Sequence, residues 1–407
     1  MRIPLFAVLL SSCVAYRAAP LDLEETAKDL DRRSVPEVDF AHAVGFAYAH
    51  SPELQRLRAE ARAAGLDVPP FRIGFGYDQH QDELMLTFDP VEIAQRGAAR
   101  KAAHTRQVEA LAALREAERQ VAAEIAECFL IEGALGGRAL PAEAPDPDAF
   151  LKAGLASDAA AAQARAAREA RAAEELATSA ERVGNLARLR RLLGLSGDAP
   201  LSVSLPPAPF PSLPEASRER LLKRPDLAVA LARYGVADAE LREAVRRQYP
   251  SLEIGPVYAD MGGGAGSHGG GVAVGGGSPW GAFVQVRIPV GASKQARAAQ
   301  ERREAARRAV EAALLAAEEE ATAREADLRA AVARAKADEA EAEAMARELS
   351  VAAARLEVEG EAFGDTAWRA ATAVSAAAAA RESAVTAARA RVAYAAAYGW
   401  PRPEEVR

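Results

Sequence analysis

The sequence predicts a mainly α chain with a small β part, arranged as two repeats of a strand pair followed by a long α-helical hairpin. Three observations predict it. The order helix, two alternating strands, long Ala- and Arg-rich helix occurs from Ser51 and recurs from about Glu215. Hydrophobic residues make up 50% of the chain while aromatics are only 5% and charged residues 27%, the profile of long helices with thin apolar seams. Four short stretches alternate apolar with polar or glycine residues, the period of a half-exposed strand. A length of 407 residues would by itself suggest two or three domains. The repeat argues instead for one elongated unit of two similar halves.

The elements follow in order. Met1-Arg2, an apolar run from Ile3 to Leu10, and Leu10-Ser11-Ser12-Cys13 resemble a bacterial lipobox. Residues 1–12 are read as a signal peptide and Cys13 as the lipidated first residue; an ordinary signal peptide or a chance apolar start remain the alternatives. Residues 13–38, charged and interrupted by Pro20 and Pro36, are expected to be a tail running from the anchor. The first repeat spans 39–198. It opens with a helix from about Val38 to Gly65. Strands follow near Phe71–Asp78 and around Leu84, Leu86 and Phe88, then a helix from Val91 to Ile131. Glycines and prolines break the chain from Gly133 to Pro147. Helix resumes from about Asp148 to Leu193, with a weak point at Gly154. A Pro-rich linker, 199–214, is expected to be extended.

The second repeat spans 215–399. Its first helix must stop before Pro250, because proline disfavours helix in the residue ahead of it. A strand covers about Leu252–Tyr258, a Gly-rich loop runs from Asp260 to Pro279, and the next strand sets Ala282, Val284 and Val286 against Phe283, Gln285 and Arg287. Ala292 to about Glu359 then reads as one helix, on the order of 100 Å long at 1.5 Å per residue. Gly360 and Gly364 mark a turn, and a return helix runs from about Asp365 to Tyr398, leaving 400–407 as a tail. After residue 13 there is no uninterrupted apolar run of helical spanning length, so any membrane crossing falls to the strands. Two strand pairs cannot close a barrel, and an open edge cannot face lipid. If these strands lie in a membrane, the chain must oligomerise to close them.

Composition and motifs exclude several chemistries. A formal net charge of −7 argues against a nucleic-acid-binding surface, and Arg188, Arg190 and Arg191 are read as solvated helix faces. Gly264–Gly269 matches G-x-G-x-x-G but is followed by more glycine and a strand, not by the helix whose N-terminus would hold a phosphate. The 5 histidines do not fall at metal-ligand spacing, and no local signature organises a nucleophile. No cofactor and no catalysis are expected.

Several segments together resemble the TolC-like outer membrane efflux family, in its lipidated branch. They are Arg224-Pro225-Asp226-Leu227 with its first-half counterpart Ser51-Pro52-Glu53-Leu54, the helix-to-strand entry Gln248–Leu252, and the strand exit Ile288–Gly291 matched by Pro90. Leu192-Leu193-Gly194 and Ala397-Tyr398-Gly399 resemble the ends of the two return helices. The resemblance implies a homotrimer forming an outer-membrane β-barrel continued by a periplasmic α-helical barrel. It implies passive exit of substrates in a tripartite efflux or type I secretion system, with a periplasmic adaptor and an inner-membrane pump as partners. The hairpin turns that would dock the adaptor are Gly154-Leu155-Ala156-Ser157 and Gly360, Glu361, Phe363 and Gly364. The family's acidic tip ring is not matched: its place holds Asp365, Thr366 and Arg369. A ring of Arg369 or a solvated Arg369 are both open. The alternative function is a lipid-anchored periplasmic coiled-coil scaffold without a pore, which would have no use for the four strands.

Overall fold

A computed structural model describes residues 22–35, 37–66, 74–78, 83–87, 90–136, 140–205, 210, 212–259, 280–287, 291–359 and 363–401. The first half runs α1 (Leu23–Asp31), β1 (Glu37–Val38), α2 (Phe40–His50), α3 (Pro52–Leu66), β2 (Gly74–Asp78), β3 (Glu83–Thr87), α4 (Pro90–Gly136), α5 (Pro147–Lys152) and α6 (Asp158–Leu193). The second runs β4 (Ser202–Val203), α7 (Arg218–Leu222), α8 (Pro225–Arg246), β5 (Ser251–Ala259), β6 (Trp280–Arg287), α9 (Ala292–Glu359) and α10 (Phe363–Ala397). No described helix is long and apolar enough to cross a membrane.

The strands of both halves share one antiparallel sheet in the order β2-β3-β5-β6. The halves join within it through Glu83↔Ala259, Leu84↔Tyr258 and Met85↔Val257. Beyond the sheet the long helices form two antiparallel hairpins, α4 with α6 and α9 with α10, and α10 also lies against α6. Alanine has the highest helix propensity and lets helix axes come close, which explains how seams such as Ala164–Ala367 are buried without large side chains.

Around the middle, α2, the β1–β4 pair and the 195–201 segment form a belt on α4 and α6. Its core contains Val38, Phe40 and Val44 against Ile125, Phe129 and Leu189. Full burial of Ile125 and Phe129 contributes about 1.5–3 kcal/mol each relative to exposure. Phe40, Phe210 and Trp400 stack into the same core, with Phe40 and Phe210 ring centroids 4.7 Å apart.

The internal repeat is visible at two matching junctions. In the first half α6 ends at Gly194, with φ +69°, packed against the start of α3 at Ser51-Pro52. In the second, Gly399, with φ +77°, follows α10 and packs against Arg224-Pro225 at the start of α8. Each junction is tied by guanidinium groups, the second also by Arg119, which donates to the Ala396 and Trp400 carbonyls at 3.4 Å. Arg224 donates to the Ala397 carbonyl at 3.0 Å, while Arg33 donates to the carbonyls of His50 and Gly194 at 3.3 Å each.

Several boundaries differ from the sequence reading. The stretch expected to be a tail up to residue 38 contains α1, capped by Asp22, and β1, which pairs in parallel with β4. The expected helix from Val38 to Gly65 is two helices, because Pro52 has no N–H to continue α2 and instead starts α3. Pro225 divides α7 from α8 in the same way. Gly154 is not a weak point within one helix but a left-handed turn between α5 and α6. Arg188 is no free surface charge: it holds Glu127 at 3.0 Å and Glu124 at 3.2 Å, while Arg190 donates to the Ala199 carbonyl at 2.8 Å.

Candidate functional site at the hairpin tips

Three elements meet at the end of the helical part away from the sheet: the α5–α6 turn, the end of α9 and the start of α10. The α5–α6 turn is shaped by its sequence. Asp146 caps α5 by accepting from the Asp148 N–H at 3.1 Å, and Pro147 occupies the first helical position. Gly154 takes the left-handed conformation at φ +71°, and the Leu155 N–H closes back on the Phe150 carbonyl at 2.9 Å. Ser157 caps α6 by accepting from the Ala160 N–H at 3.2 Å.

Of the tip residues predicted from sequence, Gly154, Leu155, Ala156 and Ser157 lie in this turn, with Leu155 54% exposed and Ala156 packed inward. Phe363 is buried, its ring 4.8 Å from that of Phe150, so the tips of both hairpins are level and in contact. A Cβ added at Gly364 would lie 3.4 Å from the Ala160 side chain, which shows how tightly α10 and α6 approach. Cys13, Gly360 and Glu361 lie outside the described residues.

The three gate candidates stand in different environments. Asp365 is exposed. Thr366 is buried at 1% exposure, its hydroxyl 3.5 Å from the Ala352 carbonyl of α9. Arg369 spans two helices, donating to Asp365 at 2.9 Å and pairing with Glu348 of α9. The hydrogen bond to Asp365 is the main reason its pKa is raised. Trp368, between them, is 55% exposed.

The first hairpin differs from the second where it approaches the tip. α6 and α10 are nearly equal at 36 and 35 residues, but α4 has 47 residues against 68 in α9, a shortfall of 21. Residues 140–146 are not helical and run as a strap along α6. Arg171 donates to the Pro141 carbonyl and Arg168 to the Ala144 carbonyl at 3.1 Å, while Arg165 holds Asp148 at 2.7 Å. Ala144, 4% exposed, packs with Ala167, Leu349, Ala370 and Ala373. The interruption was evident from the glycines and prolines. The holding set Arg165, Arg168 and Arg171, one per turn on α6, went unread although its three-residue spacing was available.

Above the strap the wall is tied by polar contacts between helices. Asn185 donates to the Cys128 carbonyl at 2.9 Å, Arg182 pairs with the buried Glu132, and Arg381 of α10 bridges Glu174 and Glu181 of α6. Burial pushes the Cys128 thiol up to about 12, which leaves it un-ionised and inert near neutral pH.

An open sheet mounted on two long helical hairpins with an equatorial belt defines a class of membrane channel fold. The fold is TolC-like, that of outer-membrane efflux channels. The channel OprN superposes with a TM-score of 0.70 at 19% identity, covering 89% of this chain and 90% of its own. A membrane protein from Pseudomonas aeruginosa gives 0.67 at 19% identity over 88% and 92%. The open-state MtrE outer membrane channel of Neisseria gonorrhoeae gives 0.66 at 17% identity over 88% of each. No family model and no curated protein sequence matches the chain.

Proposed function

We propose that the chain is the outer-membrane exit channel of a tripartite efflux or type I secretion system. It would act as a homotrimer that passively conducts substrates delivered by an inner-membrane pump through a periplasmic adaptor. One observation carries the reading: among the described residues the four-stranded sheet draws strands from both halves and has β2 and β6 at its edges with no further partner strand. In hydrocarbon each unpaired backbone group costs several kcal/mol, so the two edges need strands from elsewhere. Further copies of the chain supply them, β6 of one meeting β2 of the next, and three copies give a closed, even-stranded barrel. The level hairpin tips, held by Phe150 and Phe363, support adaptor docking at 154–157 and 360–364. Cleavage after residue 12 and acylation of Cys13 would add an anchor in the same membrane. Selection of cargo lies with the pump; the duct itself performs no catalysis.

Native mass spectrometry of the detergent-extracted protein, followed by planar-bilayer recording, tests this. A trimer carrying acyl chains on Cys13 and conducting ions is the expected result. A lipidated monomer with no conductance overturns the duct and favours the scaffold.

A further inference from the structure

α10 has three faces. One, including Thr366, Ala373 and Tyr394, packs toward α9. A second packs toward α6 and the belt, through Ala367 against Ala164, Arg381 against Glu174, and Val392 and Ala395 in the belt core. The third is exposed from the start of the helix to Arg389: Asp365, Trp368, Ser375, Ala379, Glu382, Thr386 and Arg389. At about 100° per residue Trp368 lies roughly 120° round the helix from Val392 and roughly 180° from Ala395. A belt of that bulk sits outside a tube whose interior must stay open. The stripe therefore points inward.

Polar and small residues occupy the stripe apart from Trp368, which lies one turn from Asp365 near the tip and exposes 55% of its surface. Trp400, by contrast, is buried at 3%. An indole carries a large apolar surface, and leaving it in water forgoes the burial that usually places it. Asp365 shares the stripe one turn away, and its charge is offset by Arg369 at 2.9 Å. Thr366 is turned into α9, and Arg369 is held by Asp365 and Glu348 of its own chain.

We propose that Trp368, repeated three times about the symmetry axis, forms an apolar constriction at the tip of the duct. This rests on the trimeric reading above. Symmetry triples any inward group, and apolar constrictions gate water-filled pores by dewetting. The tip is then closed by a ring of indoles and not by a ring of charge, and ions pass only when the three α10 helices separate.

The test uses the full-length protein in lipid bilayers. Trp368→Ala raises single-channel conductance at rest severalfold, and Trp368→Phe keeps it near wild type. Trp368→Cys, treated with a short bifunctional maleimide, yields cross-linked dimers absent from wild type, whose Cys128 is buried. If wild type neither trimerises nor conducts, the duct reading itself fails. If it does both, but Trp368→Ala conducts as wild type and Trp368→Cys does not cross-link, the ring is overturned and the duct survives. Unchanged conductance with loss of efflux in cells also overturns it, placing Trp368 on a partner-facing surface.

Discussion

Gly194 and Gly399 end the two return helices in the same backbone conformation but with different margins. A Cβ at Gly194 would meet the His50 carbonyl oxygen at 2.7 Å, whereas at Gly399 the nearest atom is Arg224 Cα at 3.7 Å. Left-handed backbone alone costs an L-residue about 1–2 kcal/mol. Gly194→Ala adds a collision with backbone, so it should cost more than about 2 kcal/mol and Gly399→Ala about 1 kcal/mol. Denaturant unfolding of the two variants side by side checks the order. Arg224 makes a second residue-level prediction. It is 6% exposed and holds Asp226, Glu320 at 2.8 Å and the Ala397 carbonyl. Its loss leaves those acceptors unpaired, and Arg224→Ala should cost about 2–3 kcal/mol. Burial alone would push the Asp226 carboxyl up, but the hydrogen bonds and charge of Arg224 outweigh it and hold the pKa below its ordinary value. A depressed carboxylate stabilises the fold above the unfolded value of about 3.9 and loses that contribution as pH falls through the folded value. Wild type should therefore lose stability on acidification below about pH 4. In Arg224→Ala only the Leu227 N–H and the Arg119 charge still oppose burial, and the loss of stability from this site on acidification should shrink.

At the scale of elements, the long helices were legible because their signal is long. Alanine propensity and few breakers over Ala292–Glu359 leave helix as the one economical choice, and α9 has those limits. The four strands were legible from alternation. The strand pair of the belt was not: β1 and β4 are short, and a parallel pair joining Glu37–Val38 to Ser202–Val203 across most of the first half leaves no local pattern. The strap was half legible. Its breakers were plain, but what holds it depends on which face of α6 meets it, and a single arginine-rich sequence is compatible with solvent on every side. The strap allows a contrast between packing and charge. Ala144 fits among alanines, so Ala144→Leu should overpack the seam and cost about 1–3 kcal/mol. Arg165 and Asp148 are both exposed, and Arg165→Ala should leave stability nearly unchanged. Trypsin cleavage after Lys152 should accelerate in Ala144→Leu and stay near wild type in Arg165→Ala. The reverse order would mean that charge, not packing, seats the strap.

At the scale of the whole molecule, the sequence made the need for partners legible without showing how the halves meet. Alternating strands in two pairs left open whether each pair closes separately with other copies. The β3–β5 register answers that: one chain contributes a continuous four-stranded sheet, and among the described residues its free edges are β2 and β6. Successive N–H groups along an edge strand point alternately toward the neighbour within the chain and away from it. Proline removes one N–H at a time. A proline scan over Gly281–Val286 of β6 should therefore alternate. At every second position proline cuts a bond to β5 and weakens the sheet of the isolated chain. At the positions between, it cuts a bond that only the next copy's β2 could accept. Those variants should keep their helical circular dichroism and bilayer association, yet run as monomers or fall apart in mild detergent. Native mass spectrometry of the six variants reads the pattern directly. If the intervening prolines leave the trimer as stable as wild type, β6 is not an inter-copy edge, and closure must come from the helices alone.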